Sequence, residues 1–183
     1  MNHKITVAGV TRELPLCPIA DDLYIAAFIM LGDIELTKAC AKALIEIAPP
    51  HDIIVTAETK GIPLAHEMAS MLGHKRYVTL RKSQKLYMSD VLSTELDSIT
   101  TANRQTLFLD NVDARLIKGK QVLIVDDVVS TGNSLNAIVT LVQNAGGEVA
   151  SKMTVFVEGD AQNMMDIIYL EKLPLFHLDR GTS

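Results

Sequence analysis

The sequence predicts an α/β fold in which a mostly doubly wound parallel sheet is flanked by helices. Three observations predict it. The aliphatic runs Ile53-Ile54-Val55, Tyr77 to Leu80, Val122-Leu123-Ile124-Val125 and Val149 to Val157 have the length of buried strands. Segments with apolar residues at helical spacing lie between them, and strands alternating with helices are the mark of a parallel sheet. The length, 183 residues, suffices for one domain with a proper core and falls short of two ordinary ones, so residues 1 to 183 are read as a single domain.

The elements follow in order. Residues 1 to 50 differ from the rest and read as a helical N-terminal part. Asp21 or Asp22 is placed to cap a helix through Leu23, Ala26, Ala27 and Met30. A second helix starts near Asp33, carries Leu36, Ala39, Cys40, Ala43, Leu44 and Ile47 on one side, and is stopped by Pro49-Pro50. Residues 51 to 160 form the core. There the strand at Ile53 leads through the polar turn Glu58-Thr59-Lys60-Gly61 into a helix from Pro63 to Leu72, with Leu64, Met68, Met71 and Leu72 at helical spacing and Gly73 as its stop. After the strand at Tyr77, residues 81 to 120 are polar and poorly periodic, and so long an interruption predicts a hairpin or a functional flap. The central strand is followed by a helix with Leu135, Ile138, Val139 and Val142 inward, ended by Gly146-Gly147. The strand Val149 to Val157, one more helix-like piece and a short strand near Leu175 to Leu178 complete the chain.

Composition narrows the function. A net charge of −5 gives no support to non-specific nucleic-acid binding, although local basic clusters can hold phosphates. Two cysteines, Cys17 and Cys40, make neither a disulfide framework nor a metal-ligand set and read as small apolar core residues. The most apolar window, Leu23 to Leu31, is far shorter than the roughly 20 residues a membrane helix needs. Met1-Asn2-His3-Lys4 opens no apolar leader, so the expected setting is cytoplasmic. His66-Glu67 lacks a second histidine four residues on, which fails the zinc-protease pattern, and His3, His51, His74 and His177 read as scattered surface or satisfied side chains.

Chemistry concentrates in the segment from Val122 to Ser134, where Asp126 and Asp127 follow a buried strand and a turn of hydroxyls and glycine precedes a helix. Adjacent carboxylates repel unless a cation, hydroxyl donors or a basic group balances them. They can accept hydrogen bonds from vicinal sugar hydroxyls, directly or through a Mg²⁺ shell. Ser130, Thr131 and Ser134 offer hydroxyls, and the amides from Thr131 to Ser134, Asn133 included, can form a phosphate nest that Gly132 permits. In an open parallel sheet ligands bind at the carboxyl ends of strands. A ligand bearing both hydroxyls and phosphate, such as a phosphorylated sugar, fits this pattern.

The same segment, Val-Leu-Ile-Val-Asp-Asp-Val-Val-Ser-Thr-Gly-Asn-Ser, resembles the phosphoribosyl-pyrophosphate signature of type I phosphoribosyltransferases. Glu58-Thr59-Lys60-Gly61 is similar to that family's pyrophosphate loop, and Arg81-Lys82-Ser83-Gln84-Lys85 to the start of the flexible loop in its adenine-specific members. Ser89-Asp90 through Ser98-Ile99-Thr100-Thr101 is similar to xanthine-specific members. The resemblance implies a Rossmann-like core with residues 1 to 50, including Arg12-Glu13-Leu14-Pro15, as a hood over the base and residues 81 to 120 as a flap. It implies transfer of a 5-phosphoribosyl group from phosphoribosyl pyrophosphate to a purine base, with release of pyrophosphate. Residues 130 to 134 would hold the 5′-phosphate, and Asp126 and Asp127 would address the ribose hydroxyls. Lys60, Arg81, Lys82 and Lys85 would stabilise the leaving pyrophosphate, with the amides of Lys60 and Gly61 donating to it. Mg²⁺ would bind through substrate oxygens, with Asp126 and Asp127 as candidate protein contacts. Val128 and Val129 would form an apolar wall against the base.

One departure bears on the acceptor. Hypoxanthine–guanine enzymes carry an aspartate where this chain has Ser130, which is too weakly basic for that role. Adenine is therefore the expected base, with Glu95 the nearest flap carboxylate, and the expected assembly is a homodimer. Xanthine or another purine, and a non-catalytic sensor of phosphoribosyl pyrophosphate with the same fold, are the alternatives.

Overall fold

The computed structural model of the chain describes residues 1–95 and 106–177. Its centre is a five-stranded sheet made of β4 (Ile53–Ala57), β5 (Val78–Leu80), β8 (Gln121–Val129), β9 (Glu148–Glu158) and β10 (Ile167–Leu173), in the order β10-β9-β8-β4-β5 and parallel throughout. Both faces are covered, which is why these strands read as continuous aliphatic runs. Ile54, Leu123 and Val125 point to one face and pack with Leu36, Cys40 and Leu44 of helix α1 (Ile34–Ile47) and Leu64 and Met68 of α2 (Ile62–Met71). Val55, Val122 and Ile124 point to the other, against Ile117 of α3 (Asn111–Ile117) and Leu135, Ile138, Leu141 and Val142 of α4 (Asn133–Asn144). This is the doubly wound arrangement expected from the alternation of strands and helices.

The N-terminal part departs from expectation. Residues 23 to 30 are not a helix: β1 (Asn2–Val7), β2 (Val10–Pro18) and β3 (Leu23–Ala26) form an antiparallel sheet, completed by β11 (Leu175–His177) in the order β1-β2-β3-β11. Leu23, Ala26, Ala27 and Met30 satisfy helical spacing, but Ala26, Phe28 and Met30 are buried while Ile29 is exposed, a period of two. Pairing with β2 on one side and β11 on the other stabilises the extended form. The helix expected from Asp33 is present. Asp33 caps it by accepting from the Leu36 amide at 3.1 Å, and Arg12 of β2 grips the same carboxylate at 2.6 and 2.9 Å while reaching Glu35 at 2.7 Å. The Arg12 hydrogen bonds hold the Asp33 carboxyl below its ordinary range and fasten the antiparallel sheet to the core.

Other boundaries moved. Within 81 to 120 the hairpin is present as β6 (Leu92–Glu95) and β7 (Thr106–Leu109), accompanied by α3, which had not been expected; Ser98, Ile99, Thr100 and Thr101 lie outside the described residues. The helix-like tail is a 3-10 turn at Gly159–Asn163 followed by the unexpected strand β10, and the short strand is β11, with Leu178 beyond the described residues. The Asp-Ile-Ile-Tyr-Leu-Glu-Lys-Leu stretch fits either period, and parallel pairing with β9 decides it. In α2 the inward stripe is Leu64, Ala65, Met68 and Ala69, leaving Met71 and Leu72 exposed. Cys40 is buried, its thiol pushed up to about 12 by desolvation, whereas Cys17 is only half-buried and not a core residue. No helix among the described residues is long and apolar enough to cross a membrane.

Candidate active site

Asp126 and Asp127 were expected just beyond a strand end; β8 instead continues to Val129, so both lie within it and take opposite orientations by the alternation of a strand. The Asp127 side chain is almost fully enclosed, 3% exposed, and its Oδ2 has no hydrogen-bond partner among the described residues. Lys60 Nζ stands 3.7 Å from that oxygen. The Asp127 amide donates to Asp126 Oδ1 at 2.9 Å. Burial, and then the neighbouring charge of Asp127, push the Asp126 carboxyl well above its ordinary range, with the backbone amide and Lys60 opposing. Asp127 is thus a buried carboxylate short of donors, with Asp126, half-buried, beside it.

Three cavities meet around Val128 on the carboxyl rim of the sheet. A small one of about 60 Å³ is bounded by Ser130, Thr131, Gly132 and Ser134, with Asp126 at its edge. Gly132 precedes α4 in the left-handed conformation, φ +76°, turning the loop so that the following amides open α4, as a phosphate nest requires. The Asn133 amide approaches Thr131 Oγ1 at 3.5 Å. A second cavity of about 380 Å³ is lined by Glu58, Thr59, Lys60 and Lys82 from one side and Asp126 and Asp127 from the other. The third, about 500 Å³, is largely apolar: Ile25, Ala27, Phe28 and Ile29 of the N-terminal part face Lys60 and Glu158.

The loop after β4 is locked to both neighbours. The Glu58 carboxylate accepts from the Lys82 amide at 2.8 Å and pairs with Arg81 at 3.1 Å, and these contacts, the amide bond first, hold its pKa below the ordinary value against desolvation. Gly61, at the start of α2, has no room for a side chain: a Cβ would lie 2.5 Å from Thr56 Oγ1 and 3.0 Å from Asp126 Oδ1.

Of the expected residues, the structure brings together Glu58, Thr59, Lys60, Gly61, Lys82, Asp126, Asp127, Val128, Ser130, Thr131, Gly132 and Ser134, with Asn133 at the helix start. Arg81 is turned to Glu58, Lys85 bonds Ser83 at 2.5 Å, and Glu95 sits exposed on β6; none of the three lines these cavities. Val129 packs into the core and touches only the smallest cavity, so the apolar wall is Val128 alone. The structure adds two residues to the site. Thr56 is fully buried beneath Gly61, its hydroxyl without a partner among the described residues, and Glu158 ends the apolar run Val155-Phe156-Val157 as Asp126 ends Val122 to Val125, a signal visible in sequence. The histidines are less scattered than expected: the rings of His51 and His74 meet edge to face at 5.4 Å and His66 lies 5.9 Å from Tyr77, none of them lining the cavities above.

Comparison with known proteins agrees with this geometry. Residues 33–173 match the family model of the phosphoribosyl transferase domain. A hypoxanthine/guanine phosphoribosyltransferase of Methanococcus voltae is 33% identical over 146 residues, covering 80% of this chain and 71% of that protein. An adenine phosphoribosyltransferase of Acetivibrio thermocellus is 33% identical over 151 residues, covering 80% and 84%. The crystal structure of an adenine phosphoribosyltransferase from Rhodothermus marinus shares the fold, with a TM-score of 0.65 at 22% identity over 94% of each chain. Strand order, rim cavities and family match lead to one conclusion: this chain is a phosphoribosyltransferase, a member of the phosphoribosyl transferase domain family.

Proposed function

We propose that the protein transfers a 5-phosphoribosyl group from phosphoribosyl pyrophosphate to adenine, giving AMP and pyrophosphate. The observation that carries this reading is the junction of three chemically different cavities at Val128: a hydroxyl- and amide-lined nest, a lysine- and carboxylate-lined chamber, and an apolar slot. In this reading the 5′-phosphate occupies the nest at residues 130 to 134, the pyrophosphate lies against Lys60 and Lys82, and the base slides between Val128 and the N-terminal sheet. Asp126 and Asp127 accept from the ribose hydroxyls, which supply the donors that Asp127 Oδ2 lacks. The bond from the ribose anomeric carbon to pyrophosphate breaks and the bond to the base nitrogen forms, with that nitrogen's proton passing to the released pyrophosphate or to solvent. Positive charge on the ribose is transient, so the protein's work is positioning and electrostatics.

Asp127, buried with an unpartnered Oδ2, and Asp126 beside it also fit a divalent ion held chiefly by substrate oxygens, with both as its protein contacts. Bound Mg²⁺ would neutralise charge on the departing pyrophosphate. Arg81 and Lys85 reach the site only if the flap reorganises, and Glu95 serves the base only on the same condition. The assembly in this reading is a cytoplasmic homodimer, with light scattering at known concentration as the check on its size.

A second reading, a 6-oxopurine as acceptor, is favoured by the relatives named for hypoxanthine and guanine; against it stands Ser130, a side chain without the basicity of a carboxylate. Incubation with Mg²⁺, phosphoribosyl pyrophosphate and each of adenine, hypoxanthine, guanine and xanthine separates them. AMP formation supports the first reading; nucleotide from the oxopurines alone replaces it with the second.

A further inference from the structure

Glu158 belongs to no step described above, and its surroundings give it one. It ends β9, one position beyond the Val129–Val157 pair, and therefore stands beside Ser130 of the phosphate nest. The residue is 8% exposed, and its Oε1 is buried with no hydrogen-bond partner among the described residues. It nevertheless lines the apolar cavity, opposite Ile25, Ala27, Phe28 and Ile29. Burying a carboxyl group without partners is costly, and such groups in a cleft mark positions where a ligand completes the bonding. Apart from Lys60, the other residues around this cavity are apolar or bear only a small hydroxyl, so the carboxyl is its principal acceptor.

Resting on the reading that this cavity takes a purine, we infer that Glu158 is a specificity-determining residue whose carboxyl oxygen accepts a hydrogen bond from the exocyclic amino group of the base. Desolvation raises the Glu158 pKa, with Lys60 opposing. A protonated carboxyl could in addition donate from its second oxygen to the ring nitrogen next to the amino group, a two-point match to adenine. A site built to bond an amino group rejects analogues that lack it, because its own polar atoms are then left unpaired.

The test compares kcat/KM for adenine with that for unsubstituted purine, which lacks the amino group. The wild type is expected to prefer adenine by about tenfold or more. Glu158→Met, similar in length but without an oxygen acceptor, brings the two within about twofold, while Glu158→Gln, whose amide oxygen still accepts, keeps the preference. KM for phosphoribosyl pyrophosphate stays unchanged in both. An undiminished preference in Glu158→Met, or an equal loss for both bases, overturns the inference and leaves the adenine reading standing. Should the Met variant not fold, the wild type decides with N6,N6-dimethyladenine, which has no amino N–H. Turnover no better than that of purine supports the role, and parity with adenine removes it. If the wild type instead accepts only oxopurines, the adenine reading fails by itself, and guanine against hypoxanthine, which differ by one amino group, repeats the comparison in the same variants.

Discussion

At the end of β4 the chain enters α2 through Gly61, with φ −73°, whereas at the end of β8 it enters α4 through Gly132, with φ +76°. In sequence the two crossings look alike: an aliphatic run, a few polar residues, a glycine, a helix. Their glycines answer different demands. Gly61 has ordinary helical backbone, and any residue can adopt its dihedrals; it is glycine because Thr56 and Asp126 crowd the place of a Cβ. Gly132 adopts a conformation that side chains disfavour, and the atoms nearest its absent Cβ are the flexible end of Met164, at 2.7 Å for Cε. One crossing is built by close approach and presents charge through Lys60; the other is built by backbone conformation and presents amides and hydroxyls.

The largest test of this comparison falls on the contact joining the crossings, Lys60 to Asp127. Asp127→Asn keeps the shape and removes the charge, and turnover is expected to fall on the order of 100-fold while circular dichroism and thermal unfolding remain near wild type. Normal activity would return the acid pair to a structural role.

Gly61→Ala comes next. The added methyl meets strand side chains that cannot swing away, so a stability loss of about 1–3 kcal/mol is expected, together with weaker binding of phosphoribosyl pyrophosphate as Asp126 is displaced. Denaturant unfolding and the KM for that substrate report the two effects. Gly132→Ala should cost less, about 1–2 kcal/mol for the left-handed backbone, since Met164 can move. Gly132→Asn should recover part of that loss, because asparagine tolerates this conformation, whereas Gly61→Asn should be worse than Gly61→Ala. Equal rankings at both sites would break the comparison.

The smallest effect is a pH dependence. Asp126 has its folded-state pKa raised above the ordinary 3.8, so the folded protein binds its proton more tightly than the unfolded chain. That contribution is fully present below the ordinary carboxylate range and is lost as pH rises from there through the raised value. The ligand-free protein should therefore lose Tm over this window, and Asp126→Asn should flatten the loss. An unchanged slope in the variant would remove Asp126 as its source.

Much of this was legible in the residues. The aliphatic runs at Ile53 and Val122 announce strands buried on both faces, and Asp33 announces the start of α1, because these signals are local. The acid pair, Lys60 and the Ser130 to Ser134 turn were legible as chemistry for the same reason. Leu23 to Met30 was not, since its apolar residues satisfy both periods until β2 and β11 pair with β3. Glu95 is the flap carboxylate nearest in sequence, yet it sits exposed at the end of β6. Glu158 shows in the residues only as an acid after an aliphatic run; its burial beside Ser130 depends on the alignment of β9 with β8.

By itself the sequence determined what can be read over a few residues: strand and helix periods in the core, the phosphate-ready turn, and the charges that face it. Tertiary structure decided which of these meet. Parallel pairing of β4, β8 and β9 sets Lys60, Asp126, Asp127 and Glu158 on one rim, and the antiparallel N-terminal sheet closes an apolar slot above them. Register between distant strands is fixed by the burial of both faces at once, a condition no single segment contains.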